Sequence, residues 1–305
     1  MLALEFGGTR VRAALVDRQG TVRAHAHAAA QAQRGADHVL AQARALAATL
    51  LPGTATMAAQ AIGISAAGII DRAAARVLAA QDTMPGWAGT DLRRCLGSCL
   101  GGPLPVVADN DANCALAGEL WRGAHAVGSD ALTVLLTLGT GLGGAIAHGA
   151  KVLAGATQRA GHFGSMRVWH ARQEAVVPLE SVVSGTGLMN LYHLAARGHG
   201  PRAEGGQQVA QWAADPQAAG HVQACAAWQE WVELLGGFLH DLHVALDPGL
   251  VIIGGGVLQS SPLWWEPLVQ SLAARQVALR LEPAALGNDA GLVGAARLAW
   301  QALPG

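Results

Sequence analysis

The sequence predicts an α/β protein with two lobes, and three observations support this fold class. The chain has 305 residues, a length that suggests two domains. Its residues are 51% hydrophobic and 13% charged, which provides enough apolar material for a sizeable core. A pattern of strand, Gly/Thr corner, strand, tight turn and strand occurs twice, about 130 residues apart. We therefore expect two sheets that face each other across a cleft.

The first copy of this pattern opens the chain. Leu2–Phe6 and Val11–Val16 predict two strands joined by a corner at Gly7-Gly8-Thr9, and Thr21–His25 predicts a third strand. Paired glycines allow backbone N–H groups to approach a phosphate closely, and Thr9 can add a hydroxyl group. An ordinary hairpin turn is the alternative interpretation of this corner.

A helix and a buried strand follow this opening. Asp37–Leu50 carries apolar residues at helical spacing, and Pro52-Gly53 is predicted to end the helix. Ala61–Ile64 predicts a strand that opens into Ser65–Gly68. Asp91–Cys99 predicts a second helix.

The stretch from Pro105 to Glu119 joins a short strand to an acidic, amide-rich corner. The polar residues of the corner are Asp109, Asn110, Asp111 and Asn113. A helix is predicted from Cys114 to Trp121. Polar groups at such a corner are held by rigid elements and exposed to a cleft, where α/β folds place their chemistry. We predict that Asp111 is a general base, and the alternative is that Asp109 or Asp111 only caps the helix.

The second copy of the pattern begins with a strand at Leu132–Leu138 and a glycine corner at Gly139–Gly144. Strands at Ala145–Ala147 and Lys151–Leu153 follow. The corner also fits the dinucleotide-binding pattern G-x-G-x-x-G, which requires a helix at the glycines and an acidic residue about 20 positions later. The sequence predicts a hairpin instead, and residues 158–166 contain no Asp or Glu, so this interpretation is rejected.

The C-terminal half adds a third glycine corner. His221–Leu246 predicts a long helix, and residues 198–206 predict a surface loop before it. Leu250–Ile253 predicts a buried strand that ends in Gly254-Gly255-Gly256, a corner suited to adenosine or phosphate. Gly287–Gly291 is predicted to cap a C-terminal helix.

Composition excludes several classes of function. A net charge of −1 gives no electrostatic signature of binding to nucleic acid or to an acidic membrane surface. No apolar run reaches the roughly 18 residues that a membrane span needs, and no signal peptide is visible. We therefore expect a cytoplasmic protein. Four Cys residues in a chain of this length predict no disulfide framework, and Cys95 and Cys99 lack a second pair of ligands for a metal.

Taken in order, the motifs resemble those of the ROK sugar kinases, the bacterial glucokinase and N-acetylmannosamine kinase type. The match runs nearly end to end, and the set is far more specific than any single motif. The motifs are EFGGTRVRAALVD from Glu5, GISAAGIID from Gly63, PGWAGTDL from Pro85, DNDANCALAGE from Asp109, LTLGTGLGGAIAHGAKVLAGA from Leu136, LESVVSGTGL from Leu179, DPGLVIIGGGV from Asp247 and GNDAGLVGAA from Gly287.

The resemblance implies a two-lobed fold of the actin/hexokinase (ribonuclease H-like) type, with Asp111 as the general base on the sugar hydroxyl that attacks the γ-phosphate of ATP. Mg²⁺ is expected with ATP, held mostly by phosphate oxygens and water. The implied sugar-binding residues are Gly68, Asn110, His162, Ser165 and Glu180. The implied nucleotide- and phosphate-binding residues are Glu5, Gly7, Gly8, Thr9, Arg10, Gly139, Thr140, Gly141, Gly143, Gly254, Gly255 and Gly256.

Three departures from the family pattern stand out. Glu5 occupies a position where the family usually has Asp. His162-Phe163-Gly164-Ser165 aligns with a family segment Glu-x-Gly-His, whose Glu and His both touch sugar. The family's zinc-binding cysteines are missing from Arg167–Pro178, where His170 is the one surviving possible ligand. A tetrahedral site needs four ligands, so we predict no structural zinc.

These features predict an ATP-dependent kinase that phosphorylates the 6-hydroxyl of a hexose or N-acetylhexosamine. The changes at His162 and Ser165 could redirect the sugar specificity, weaken sugar binding or have no consequence. The alternative function is a non-catalytic sugar-binding or sensor protein derived from such a kinase. Polyphosphate in place of ATP is an alternative donor. A DNA-binding repressor is not expected, because the chain starts at a sheet strand rather than at a helix-turn-helix.

The predicted domains are an N-terminal lobe of residues 1–111 and a C-terminal lobe of residues 112–289. The helix at residues 290–305 could pack back on the first lobe. The expected partners are a sugar and a nucleotide, with no nucleic acid and no membrane, and the resemblance implies a homodimer.

Overall fold

The computed structural model describes residues 1–50, 59–80, 84–99 and 103–303. The predicted helix end at Pro52-Gly53 lies outside these residues. Within them, the strands are β1 (Leu2–Phe6), β2 (Arg10–Val16), β3 (Val22–Ala29), β4 (Ile62–Ala66), β5 (Ile69–Asp71), β6 (Arg76–Ala79), β7 (Val106–Asn110), β8 (Leu132–Leu138), β9 (Leu142–His148), β10 (Lys151–Val152), β11 (Arg167–His170), β12 (Ala175–Pro178), β13 (Leu250–Gly254) and β14 (Leu281–Pro283). The α-helices are α1 (Ala36–Leu50), α2 (Leu92–Leu96), α3 (Asp111–Arg122), α4 (Gly185–Ala196), α5 (Gly206–Ala214), α6 (His221–Leu246), α7 (Trp265–Ala274) and α8 (Ala290–Gln301).

The chain divides into two compact units. Unit 1 contains residues 1–126, 150–160 and 285–305, and unit 2 contains residues 127–149 and 161–284. The boundary predicted between residues 111 and 112 falls inside unit 1, directly after the first residue of α3. The α/β class predicted from the sequence is confirmed, because each unit combines a sheet with helices.

The sheet of unit 1 has the strand order β3-β2-β1-β4-β7. β1, β2 and β3 form an antiparallel meander, whereas β1, β4 and β7 are mutually parallel. Parallel strands run in the same direction, so their carboxyl ends lie at the same edge of the sheet. The corners that follow β1, β4 and β7 therefore share that edge.

The helices α3 and α8 pack closely together in unit 1, and two glycines permit the approach. A Cβ on Gly294 would lie 1.6 Å from the carbonyl oxygen of Cys114, and one on Gly118 would lie 2.4 Å from that of Ala290. The buried carboxylate of Glu119 accepts the backbone N–H groups of residues 285 and 286, at 3.0 and 2.9 Å. The C-terminal segment is therefore tied to α3 before α8 begins.

The sheet of unit 2 repeats this topology. Among the strands that lie within unit 2, β9 is antiparallel to β8, and β8, β13 and β14 are parallel, in the order β9-β8-β13-β14. The repetition predicted from the two strand–corner–strand patterns is confirmed. The buried Trp231 and Trp264 lie in the core formed by α4, α6 and α7. None of the helices formed by the described residues is long and apolar enough to cross a membrane.

Several element boundaries differ from prediction. β3 extends to Ala29 because Arg10 of β2 pairs with that residue. β4 includes Ser65 and Ala66, since it is paired on both sides, with β1 and with β7. α2 is shorter than the predicted helix, and Asp91 is its N-cap. β9 begins at Leu142, so the second glycine corner is limited to residues 139–141.

Candidate functional site

The carboxyl ends of the parallel strands in unit 1 form one row. Phe6 pairs with Ala66, and Ala66 pairs with Asn110. The corner at Gly7–Thr9, the turn at Ala67-Gly68 and the start of α3 therefore leave the same edge of the sheet. Open α/β sheets carry their ligand sites at this edge.

Asn110 fixes the corner between β7 and α3. Its Oδ1 accepts two backbone N–H groups of the first helical turn, at 2.9 and 3.4 Å, so Asn110 is the N-cap of α3. Its Nδ2 donates to the carbonyl of Gly68 at 2.9 Å. The interpretation of Asp109 or Asp111 as the cap is wrong, because Asp109 lies within β7 and Asp111 is the first residue of α3.

Asp109 supports this corner from inside. Its side chain is 2% exposed, and its Oδ2 lies 2.7 Å from the guanidinium of Arg72. Its Oδ1 accepts the Nδ2–H of Asn113 and the N–H of Asn110, both at 2.8 Å. Burial raises the pKa of Asp109 above its usual range, and the charge of Arg72 opposes this shift. The paired and buried Asp109 is placed to hold the corner rather than to meet a substrate.

Asp111 is the exposed carboxylate of the corner. Its Oδ1 accepts the N–H of Ala112 at 2.9 Å. Asp111 also affects the pKa of Glu5. Burial is the main cause that raises this pKa, and repulsion from the charge of Asp111 adds to the shift. The arrangement offers an accessible carboxylate on a rigid strand-to-helix corner, which suits a general base.

Glu5 is held by an arginine and accommodated by a glycine. Its Oε2 lies 2.9 Å from Nη1 of Arg12, which also donates to the carbonyl of Asn288 and pairs with Asp289. A Cβ on Gly291 would lie 2.3 Å from Oε1 of Glu5. These neighbours explain how a side chain one methylene longer than Asp fits at this position.

The corner at Gly7–Arg10 is a tight turn closed by a hydrogen bond from the N–H of Gly7 to the carbonyl of Arg10, at 3.0 Å. Gly8, Thr9 and Arg10 are exposed. A Cβ on Gly8 would have no atom within 4 Å. Gly8 is therefore not required by packing and leaves open surface above the turn.

The acidic residues of unit 1 do not form a magnesium site by themselves. Among the described residues, no group of three or more His, Cys, Asp or Glu side chains is arranged to hold a metal. Glu5 is bound by Arg12 through one oxygen and packed against Gly291 through the other. A Mg²⁺ ion that arrives with a nucleotide would therefore depend on phosphate oxygens and water.

Unit 2 contains a cavity of about 440 Å³. Its lining comes from the second and third glycine corners, the N-terminal ends of α4 and α5, and α6. The lining residues are Gly139, Thr140, Gly185, Thr186, Leu188, Met189, Glu204, Gly205, Gly206, Gln207, Trp228, Gly256, Val257, Gln259 and Ser260. Helix N-termini favour anions, and the apolar side chains suit a flat ring, so the cavity suits a nucleotide.

The glycines of these two corners have two different roles. A Cβ on Gly139 or Gly256 would meet nothing within 4 Å, so these positions leave space for a ligand. Gly255 has φ +90°, and a Cβ there would lie 2.4 Å from the carbonyl oxygen of Leu138. Gly255 is therefore required by the backbone itself, which brings the corner after β13 against the end of β8.

The N-terminus of α4 holds the second glycine corner in place. The N–H of Gly185 donates to the carbonyl of Gly139 at 2.7 Å, and that of Thr186 donates to the carbonyl of Thr140 at 3.2 Å. Ser184 caps the helix by accepting the N–H of Gly187 at 2.9 Å. Thr140 and Thr186 are exposed, and both residues line the cavity.

The predicted sugar loop lies beside Glu180. His162 is half-buried, and Ser165 is exposed at the end of a 3-10 turn, Phe163–Ser165. A Cβ on Gly164 would lie 3.3 Å from the Cβ of Glu180. His162, Ser165 and Glu180 thus lie in unit 2, whereas Gly68 and Asn110 lie in unit 1.

The predicted nucleotide-binding residues are only partly brought together. Gly139, Thr140 and Gly256 line the cavity, whereas Gly141 and Gly255 belong to the same corners but not to the lining. Gly143 lies within β9, and Gly254 is the last residue of β13. Glu5, Gly7, Gly8, Thr9 and Arg10 lie in unit 1. Residues 204–206, predicted as part of a surface loop, line the cavity, and Trp228 lies on its wall. The glycine pair at 205 and 206 was the one signal in the sequence that could have marked this loop.

Residues 167–178, for which we predicted no structural zinc, form a hairpin of β11 and β12. His170 is buried, its Nδ1 accepts the N–H of Gln173 at 3.2 Å, and its Nε2 lies 3.2 Å from Oε1 of Glu230. Arg172 pairs with the other oxygen of Glu230 at 2.9 Å. Hydrogen bonds and ion pairs hold the hairpin to α6.

Comparison with known proteins agrees with this geometry. Residues 1–302 match the sequence model of the ROK family. The chain is 31% identical to an N-acetylmannosamine kinase from Citrobacter koseri over 98% of both proteins. It is 32% identical to a glucokinase from Halalkalibacterium halodurans, with 65% of this chain and 64% of that protein matched.

A solved structure shares the whole fold. The ROK family glucokinase from Streptomyces griseus, in complex with glucose and AMPPNP, superposes with a TM-score of 0.77 and 30% sequence identity over 99% of this chain and 100% of that chain. The predicted actin/hexokinase-like fold is confirmed by this similarity.

Proposed function

The chain belongs to the ROK family, and we propose that it is an ATP-dependent kinase that phosphorylates the 6-hydroxyl of a hexose or N-acetylhexosamine. A sugar kinase activity of the glucokinase or N-acetylmannosamine kinase type is supported by relatives with these names. The observation that carries it is the exposed Asp111 at the first residue of α3, on a corner locked by Asn110.

Asp111 acts as the general base. Its carboxylate accepts the proton of the sugar hydroxyl while the hydroxyl oxygen bonds to the γ-phosphorus of ATP and the bond to the β,γ-bridging oxygen breaks. The products are a sugar 6-phosphate and ADP. Asn110 and the ion pair of Asp109 with Arg72 keep the corner from moving, because each bonds to the backbone or side chains next to Asp111.

The cavity of unit 2 binds the nucleotide. The N-terminal ends of α4 and α5 attract the phosphates, and the hydroxyl groups of Thr140 and Thr186 donate to them. Trp228 and the apolar lining face the adenosine. Mg²⁺ neutralises phosphate charge when bound, which is its general contribution to phosphoryl transfer.

The sugar is bound by Gly68, Asn110, His162, Ser165 and Glu180. His162 and Ser165 replace a carboxylate and an imidazole with an imidazole and a hydroxyl group, so the pattern of donors and acceptors offered to the sugar differs from the usual family loop. A site built to hydrogen-bond particular hydroxyls can discriminate by roughly 10⁴. We propose that these two residues set the sugar preference of this chain.

The test is a coupled assay of ADP release with Mg-ATP over a panel of hexoses and N-acetylhexosamines, with Asp111→Asn beside the wild type. We expect turnover on at least one sugar, lost by at least about 10²-fold in the variant, while sugar binding measured by calorimetry is retained. Asp241→Asn is the matched control, because it makes the same change at an exposed carboxylate on α6 that has no part in the proposed site. Turnover unchanged in Asp111→Asn would reject the general base. Polyphosphate in place of ATP in the same assay tests the alternative donor.

A sugar sensor is the second candidate, and the altered loop at His162–Ser165 favours it. A sensor would bind sugar, as a thermal shift reports, without ADP release on any member of the panel. The nucleotide cavity argues against it, because sugar sensing alone requires no anion-binding helix ends.

A further inference from the structure

Glu180 contacts both glycine-containing loops of unit 2 with one side chain. Its Oε2 accepts the N–H of Leu142, directly after the second glycine corner, at 2.8 Å. A Cβ on Gly141 would lie only 2.2 Å from this oxygen, and a Cβ on Gly164 would lie 3.3 Å from the Cβ of Glu180. The side chain is therefore enclosed between the corner at residues 139–141 and the sugar loop at residues 162–165.

The backbone of Glu180 is connected to the same corner by a second route. The hydroxyl of Ser184 donates to the carbonyl of Glu180 at 2.7 Å and accepts the N–H of Gly187 at 2.9 Å. The carbonyl of Ser184 is held by the indole N–H of Trp231 at 3.2 Å. The next residue, Gly185, donates to the carbonyl of Gly139 at 2.7 Å. The corner is thus fixed through Glu180 on one side and through the α4 cap on the other.

The carboxylate of Glu180 can bind the N–H of Leu142 and a sugar hydroxyl at the same time. It offers two oxygens and about four acceptor positions, and one of these positions receives the N–H of Leu142. Hydrogen bonds to an ionised acceptor are roughly twice as strong as neutral ones. A sugar hydroxyl that binds the remaining positions therefore acts on the same group that holds the cavity wall at Gly139 and Thr140.

We propose that Glu180 is a positioning residue that couples sugar binding to the nucleotide cavity by fixing the second glycine corner through Leu142. The proposal rests on the proposed function, and it goes beyond a sugar contact because it assigns Glu180 an effect on the nucleotide. Glu180 should therefore influence nucleotide affinity even when no sugar is present.

The experiment measures ADP binding by calorimetry without sugar, and again with glucose and with N-acetylmannosamine. We expect Glu180→Ala to weaken ADP binding roughly tenfold without sugar, the loss of one charged hydrogen bond. Glu180→Gln keeps the shape and an acceptor for Leu142, so its loss should be smaller, and the gain in ADP affinity caused by sugar should shrink. Ser181→Ala is the control, since Ser181 lies in the same 3-10 turn but donates locally to the carbonyl of Pro178.

The outcomes separate the two proposals. Wild-type protein that binds no ADP rejects the proposed function and this inference with it. Wild-type binding together with unchanged ADP affinity and unchanged sugar effect in both Glu180 variants overturns the coupling alone. Weaker ADP binding in Glu180→Ala, with an intact circular dichroism spectrum and with Ser181→Ala like the wild type, supports it. If Glu180→Ala fails to fold, the sugar effect in Glu180→Gln decides.

Discussion

The carboxylate of Asp109 lies 2.7 Å from the guanidinium of Arg72, and the carboxylate is 2% exposed. Arg72 also donates to the carbonyl of Val152 at 2.9 Å. Asp109 in turn binds Asn113 and the backbone of Asn110. The ion pair thus stabilises the corner that carries Asp111, while the carboxylate of Asp111 itself stays exposed.

Replacing Arg72 with Met should make stability more sensitive to pH. Burial raises the pKa of Asp109 even beside Arg72, so its contribution to stability is present at low pH and lost as the pH rises through its folded value. Without Arg72 this pKa rises further, and the loss extends to higher pH. The difference in Tm between wild type and Arg72→Met should therefore widen from pH 5 to pH 8, with a cost of about 3 kcal/mol at the upper end.

The control for this prediction is Arg93→Met. Arg93 also donates to a backbone carbonyl, that of Ala73, at 2.9 Å. Arg93→Met should lower Tm by a small amount that does not change with pH. A pH-independent difference in Arg72→Met as well would contradict the role assigned to the pair.

Asn110 should contribute to stability in two separable ways, as the cap of α3 and as a donor to Gly68. Asn110→Ala removes both the cap and the donation to Gly68, so the free energy of unfolding should fall by about 2 kcal/mol, about 1 kcal/mol for each contribution. Asn110→Asp keeps an acceptor for the cap but loses the donor to Gly68, and its loss should be about half as large. Urea unfolding of the two variants measures the difference, and equal losses would show that the cap contributes nothing.

The glycines at 255 and 256 should respond differently to Ala. Gly255→Ala places a Cβ 2.4 Å from the carbonyl oxygen of Leu138 at a positive φ, so it should lower Tm. Gly256→Ala meets nothing within 4 Å, so Tm should stay near the wild-type value. Because Gly256 lines the cavity, ADP affinity should nevertheless fall in this variant. Unchanged ADP affinity in Gly256→Ala would place the nucleotide elsewhere.

The parts of the site that local sequence could predict are those that depend on backbone shape. The corners at Gly139 and Gly255 are predictable because glycines directly after a buried strand mark a turn that comes close to other backbone or to a ligand. Asp111 was visible because it follows a strand and precedes a helix. In both cases the responsible residues are neighbours in the chain.

The ion pairs that hold the site together could not be predicted from local sequence. Arg72 and Asp109 are 37 positions apart (109 − 72), and Arg12 reaches Asp289 from the opposite end of the chain. Which arginine pairs with which carboxylate depends on strand register and helix packing, and no local pattern encodes it. Residues 204–206 were assigned to a surface loop for the same reason, since only the placement of α5 brings them to the cavity.

The last prediction concerns the hairpin of β11 and β12, which we expect to fold without zinc. His170 accepts from the backbone of Gln173 and contacts Glu230, which also pairs with Arg172, so the groups near it are already partnered. Dialysis against EDTA should leave Tm unchanged, and elemental analysis should find substoichiometric zinc. His170→Ala should lower Tm, because it removes a buried side chain and leaves Glu230 with one partner fewer, whereas Arg167→Ala, an exposed change on the same strand, should not. A fall in Tm on chelation, restored by added zinc, would show that a metal holds this hairpin after all.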